Sequence, residues 1–255
     1  MQHWRDASVC IFVALAVWYF FPLGGNWAWR LELPSLWLVT MGAIAEIISE
    51  RWKASRSTSL SADDRAEADR LRVPLLIVWA LACCAVGDIM GVARLRLGQI
   101  GAFAVGHVFF IIWLIIGLRR QSWRDLGYAK PIRRPWVVAA MPSVAVLTAA
   151  FLLVVPHAPE GAMRWGSAAY AVIICFMLCT AIVRAIVCRT SDDAHGSHLM
   201  AIGATLFVVS DFVLAWGMFR GWFPWGHHIV MITYYTAILL IFLGSTPKPQ
   251  DASFE

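Results

Sequence analysis

Two aspartates stand where a charge is costly. Asp88 lies in "CAVGDIMGV" and Asp211 in "VVSDFVLAW", both inside long apolar runs. Between His198 and Phe219 there is no other acid and no base. An acidic side chain buried among apolar neighbours marks a functional site more often than a structural one. A His and two Tyr keep them company: His107 in "GAFAVGHVFFI", and Tyr234 and Tyr235 in "IVMITYYTAILLIFLG". A carboxyl in apolar surroundings holds its proton, and two neighbouring carboxyls share protons unequally, one charged and one neutral. Such a pair can do acid/base chemistry.

The elements that must position these residues are membrane helices. The chain has 255 residues, 60% of them hydrophobic and only 15% charged, with a mean hydropathy of +0.68. Soluble domains carry about 25% charged residues. The net charge of +5 therefore belongs to loops beside a bilayer and gives no nucleic-acid signal. Spans of about 20 apolar residues are expected at roughly 7–21, 31–49, 73–92, 97–118, 135–156, 165–188, 198–219 and 228–244. The expected fold is all-α: a polytopic membrane protein with eight transmembrane helices in a single domain over residues 1–255. The first span lacks a small-x-small cleavage site after it and reads as a retained helix. Many of the 14 Trp, among them Trp27, Trp123, Trp165, Trp222 and Trp225, fall near span ends as interface anchors.

Eight spans put both termini on one side. That side carries 16 of the 21 Lys and Arg, and the other carries only Arg30, Arg94, Arg96, Arg164 and Arg220. The positive-inside rule places the termini in the cytoplasm, and with no organelle signal visible the expected location is a bacterial inner membrane. At 1.5 Å per residue, Asp88 lies about 6 Å below the outer boundary, the Tyr pair about 10 Å, Asp211 about 12 Å and His107 about 15 Å. These residues share one layer. Small neighbours, Gly87 and Gly91 near Asp88 and Gly203 and Ala204 before Asp211, let helices approach closely. Glu46 and Arg184 fall near the cytoplasmic boundary, where Arg184 is expected to snorkel to headgroups. All six Cys lie in spans and read as packing residues; Cys175 and Cys179 are one turn apart but lack matching partners for a metal. A small residue before Asp in both the third and the seventh span is a weak sign of a four-plus-four internal repeat.

In order and spacing, "CAVGDIM", "GAFAVGHVFFI", "AIGATLFVVSDFVLA" and "IVMITYYTAILLIFLG", with "AYAVIICFML" in the sixth span, resemble the motifs of the YhhN/TMEM86 family. The resemblance implies a lysoplasmalogenase. This is a hydrolase that cleaves the vinyl ether of a lysoplasmalogen, a lysophospholipid, with water to release a fatty aldehyde and a glycerophospho-headgroup. It implies catalytic roles for Asp88, Asp211 and His107, and substrate-binding roles for Tyr234, Tyr235, Ser210, Phe103 and Phe110. No metal or other cofactor is implied. The sequence departs from the family pattern at Leu33, where Lys is usual, at Ile238, where Gln is usual, and at Phe110, where Tyr follows the Gly-His.

Vinyl ether hydrolysis needs a neutral acid to protonate the terminal alkene carbon and a negative charge to steady the oxocarbenium ion that forms. Glycosidases meet a related need with two carboxyls. By depth, Asp211 is the expected acid and Asp88 the expected base. The rival reading is a transporter or channel that uses the intramembrane acids as an ion or proton site, although no Gly/Pro-broken spans occur at matched positions. A non-catalytic lipid-binding protein is a third. The topology can be checked directly: a reporter fused after Glu255 is expected to read cytoplasmic and one inserted at residues 221–225 extracytoplasmic. The opposite pattern would move the acid layer to the inner half of the membrane.

Overall fold

The structure, a computed structural model, describes residues 2–19, 34–44, 75–125, 133–189 and 194–245. Among these, the regular elements are helices: α1 (Gln2–Tyr19), α2 (Pro34–Ile44), α3 (Leu75–Val92), α4 (Arg96–Asp125), α5 (Arg133–Leu153), α6 (Ala162–Val187), α7 (Ala194–Arg220) and α8 (Gly226–Ser245). A 3₁₀ turn, Val155–His157, joins α5 to α6. Six of the helices, α3 to α8, are long and apolar enough to cross a membrane. The apolar parts of α1 and α2, Ala7–Trp18 and Pro34–Ile44, are shorter than a span. The ends of α3 to α8 fall within about four residues of the expected limits, except that α4 runs on to Asp125, past the expected end at 118. Leu33, Glu46 and the basic segment at 50–72 lie outside the described residues.

The contacts run α3 to α4, α4 to α6, α6 to α7, α7 to α8, and α8 back to α3, with α5 against α6. Five helices thus close a ring and α5 lies outside it. Phe12 of α1 packs edge-on against Tyr235 of α8, and the Trp37 indole N–H of α2 donates to the Ser8 carbonyl at 3.1 Å. The ring's interior is filled by Phe103, Phe110, Phe207, Phe242, Leu114 and Met177, all buried. Its outside is strongly apolar too: Trp79, Met141, Leu152 and Ile232 are all more than half exposed. Exposed apolar side chains in this number suit lipid tails better than water.

In lipid there is little hydrophobic gain from bringing helices together, so close backbone approach has to supply contact. Two glycines do this. A Cβ on Gly106 of α4 would stand 3.0 Å from the Ala80 carbonyl oxygen of α3. One on Gly203 of α7 would stand 3.0 Å from the Ala237 carbonyl oxygen and 2.9 Å from Ile241 of α8. Both neighbours include backbone, which cannot give way cheaply.

Arg184 departs from the sequence expectation. It does not snorkel: it is 6% exposed, with its guanidinium 4.2 Å from the centre of the Trp113 ring and its Nε–H donating to Ser197 Oγ at 3.3 Å. Gly117 makes the room, since a Cβ there would collide with the guanidinium. The aromatic face and the hydroxyl replace water, which keeps the cation inside the bundle.

The packing account gives a paired test. Gly203→Leu is expected to cost about 1–3 kcal/mol through overpacking, read as a lower melting temperature in detergent. Gly101→Ala, at a position with nothing within 4 Å of a new Cβ, is expected to be neutral or to gain up to about 1 kcal/mol. Equal losses would contradict the packing account.

Candidate active site

Asp88 sits four residues before the end of α3 at Val92, on a face of small residues. Gly87 admits the Phe103 ring, which a Cβ would meet at 3.1 Å. The Asp88 carboxyl is 5% exposed. Its Oδ2 accepts the Tyr234 hydroxyl of α8 at 2.7 Å and the Ser35 hydroxyl of α2 at 2.8 Å. Ser35 Oγ and Tyr234 Oη also lie 3.3 Å apart. Tyr234 is held edge-on between Phe103 and Phe207, with centroids 6.2 and 5.4 Å away. Two hydroxyls converging on one oxygen suit a carboxylate, which can only accept.

Asp211 lies on α7, nine residues before the helix ends at Arg220, and is half-buried. Its Oδ2 accepts the Tyr170 hydroxyl of α6. Next to it, Ser210 turns the other way and donates to the Val230 carbonyl of α8 at 3.0 Å. Each aspartate therefore receives a phenol from a different helix.

His107 is fully buried and tied to its own helix. Its Nδ1–H donates to the Phe103 carbonyl at 2.6 Å, which leaves Nε2 as the lone-pair nitrogen. Among the described residues Nε2 has no hydrogen-bond partner. The ring packs edge-on against Phe207 at 4.6 Å, Tyr170 at 5.5 Å and Phe110 at 6.0 Å.

A cavity of about 550 Å³ is lined by Asp88, Asp211, Tyr234, Ser210 and Phe103, together with Arg94, Arg96, Gln99, Trp222 and His227. Beside it lies an apolar crevice of about 80 Å³ between α4, α5, α6 and α7, lined by Val146, Ile174, Val208, Phe212 and Ala215 among others. Phe103, Asp211, Leu214, Met218 and Gln99 line both. Asp211 thus stands at the seam between a polar chamber and an apolar one.

Of the residues singled out from sequence, the chamber gathers Asp88, Asp211, Tyr234, Ser210 and Phe103. His107, Tyr235 and Phe110 do not line it: His107 lies behind Tyr170 and Phe207, Tyr235 faces Phe12, and Phe110 is fully buried against His107. The sequence put His107 in one layer with both aspartates; in the structure it faces Tyr170 and Phe207 and does not line the chamber. The tight turn of its own helix bond to Phe103 holds it in the wall.

Four contributors escaped the sequence reading: Tyr170, Ser35, Arg94 and Arg96. Tyr170 lies in "AYAVIICFML" at about the depth of Asp211, and that match of depth was the available signal. Ser35 carried none, because a hydroxyl in an apolar helix usually bonds its own backbone. Among the described residues no group of three or more His, Cys, Asp or Glu comes together as a metal site.

The YhhN family model matches residues 52–245. A human protein, lysoplasmalogenase TMEM86B, is 49% identical over 47 residues, which is 18% of this chain and 21% of that protein. The match thus spans about a fifth of that relative's length. No solved structure matches the chain significantly.

Proposed function

The chain belongs to the YhhN family, and from that membership and the two carboxyls in one chamber we propose that it is a lysoplasmalogenase-type hydrolase. The observation that carries the reading is Asp211 at the seam. A lysoplasmalogen has a hydrocarbon chain on one side of its vinyl ether and a polar glycerophospho group on the other. The apolar crevice suits the start of the chain, the polar chamber suits the glycerol, and the vinyl ether then falls at Asp211.

In the proposed mechanism Asp211, with one phenol donor and apolar walls, carries the proton. It gives that proton to the terminal carbon of the alkene, and the electron pair of the double bond forms the new C–H bond. The positive charge left behind is shared by the adjacent carbon and the ether oxygen. Asp88, held by Tyr234 and Ser35 as an acceptor, faces this cation across the chamber. Water attacks the cationic carbon and Asp88 takes its proton; the hemiacetal then collapses as its hydroxyl proton passes to Asp211 and Asp88 protonates the departing alcohol oxygen, which yields an aldehyde and an alcohol and resets both acids. The sum is one vinyl ether and one water in, one aldehyde and one alcohol out. Tyr170 aims the Asp211 carboxyl. His107 acts behind it as a positioning residue that supports the Tyr170 ring. The supports are the shared chamber, the seam and the partial match to a named lysoplasmalogenase.

The same reading takes α1 and α2 as parts of two further spans, giving eight with both termini cytoplasmic. Phe12 and Leu38 belong to the buried core, as they should in spanning helices. An internal four-plus-four relation is supported by one parallel: each Asp accepts a hydroxyl from the helix before it, Ser35 of α2 for α3 and Tyr170 of α6 for α7.

Asp211→Asn keeps shape and removes the acid. It is expected to leave the melting temperature nearly intact while lowering aldehyde release from lysoplasmalogen by about 10²–10⁴-fold, the usual loss for an acid or base. Asp88→Asn should do the same, and the double variant should be little worse than either, because residues acting as a unit are not additive. If instead Asp211 only glues helices, Asn substitutes well, since such bonds are worth about 1 kcal/mol in membranes. A folded Asp211→Asn protein that turns over at the wild-type rate would sink the mechanism.

A further inference from the structure

Four described arginines lie at the end of the bundle that holds the chamber, and they divide into two kinds. Arg164 is occupied by the Ala158 and Pro156 carbonyls and by Glu160. Arg220 bonds the Leu153 carbonyl and lies 4.2 Å from the centre of the Trp216 ring. Arg94 and Arg96 line the chamber, and neither guanidinium has a hydrogen-bond or ion-pair partner among the described residues.

Arg94 also occupies a place where arginine is unfavourable. It ends α3 with φ +61°. The Leu95 N–H bonds the Met90 carbonyl at 2.8 Å and the Arg94 N–H bonds the Gly91 carbonyl at 3.0 Å. This is the pair of bonds that usually puts Gly in the left-handed position. A side chain there strains the backbone, and the turn gains from Arg94 nothing that Gly would not supply better. What it obtains is a guanidinium at the chamber mouth, next to that of Arg96.

We propose that Arg94 and Arg96 form a subsite for the phosphate of a lipid headgroup. The assignment rests on the hydrolase reading and names the group that holds the substrate's polar end. Guanidinium forks match phosphate oxygens and bind them through charge-assisted hydrogen bonds. The spacing agrees. Asp211 is about 13 Å down α7 from the helix end at Arg220. About seven bonds separate the terminal alkene carbon of a lysoplasmalogen from its phosphorus, which at extended-chain reach is roughly 8 Å. An arginine side chain pointing into the chamber spans the remainder.

The probe that separates this subsite from catalysis is a saturated 1-O-alkyl-glycerophospholipid, which has the chain and phosphate but no vinyl ether. Its partner is 1-O-alkylglycerol of the same chain, without phosphate. The wild-type protein is expected to bind the phospholipid at least about tenfold tighter, the worth of one charge-assisted bond. Arg94→Gln with Arg96→Gln is expected to abolish that preference. Equal wild-type binding of the two probes overturns the subsite without any variant, and an unchanged preference in the variant does so as well. Arg94→Gly offers a second reading: it should raise the melting temperature and still reduce the preference. A stability gain with the preference intact counts against Arg94. Glycerophosphate tests the source of the ligand. It should compete far more weakly than the phospholipid, and equal competition would move the ligand from bilayer to water and overturn the lipid assignment. A protein that shows the preference yet releases no aldehyde from lysoplasmalogen keeps the subsite and loses the hydrolase.

Discussion

A carboxyl inside a membrane bundle has to be given hydrogen-bond donors by the protein, because the bilayer core supplies none. That constraint organises this molecule. Asp88 takes donors from α2 and α8, and Asp211 takes one from α6. These bonds draw α2, α3, α6, α7 and α8 to a common level. The aromatic packing of Phe103, Phe207, Tyr234, Tyr170 and His107 then fills the space between them. The acids need the bundle of helices, and both carboxyls line the chamber that it encloses.

Close packing and an open chamber are opposite demands, and they are met at different levels. Deeper in the bundle, Gly106 and Gly203 bring backbones into contact and the core is filled by large apolar side chains. Toward the end that holds the acids, the short α3–α4 and α7–α8 turns close the walls while leaving about 550 Å³ between them. Trp222, in the second of these turns, lies over Gly217, where a Cβ would strike its ring at 2.5 Å. The rigidity needed to hold two acids in register is thus supplied from below, and access is left at the rim.

Polarity is graded along the chamber. Arginines stand at its mouth, carboxyls and a phenol at its middle, and an apolar crevice opens beside the deeper carboxyl. An amphiphile fits such a gradient in one orientation. Arg184 shows the contrasting way of keeping an ion in the bundle: it is buried against Trp113 and Ser197 and is not among the residues that line the acid chamber.

Much of this was legible in the residues. Apolar runs of span length mark α3 to α8, because a bilayer enforces length and composition locally. Asp88 and Asp211 stood out because a lone acid in an apolar run is costly wherever it sits. Depth alone ranked Asp88, Tyr234 and Asp211 into one layer, since a helix rises a constant distance per residue. What depth could not supply is the angle around each helix axis. That angle sends Tyr234 into the chamber and its neighbour Tyr235 toward Phe12, puts His107 in the wall, and brings Tyr170 and Ser35 to the carboxyls. Rotation is decided by which faces of several helices fit together at once, and hydrophobic periodicity is blunt in a span that is apolar all round. The sequence by itself therefore determined that two acids are buried at similar depth; only the packing of helices decided which side chains they meet and that both open on one space.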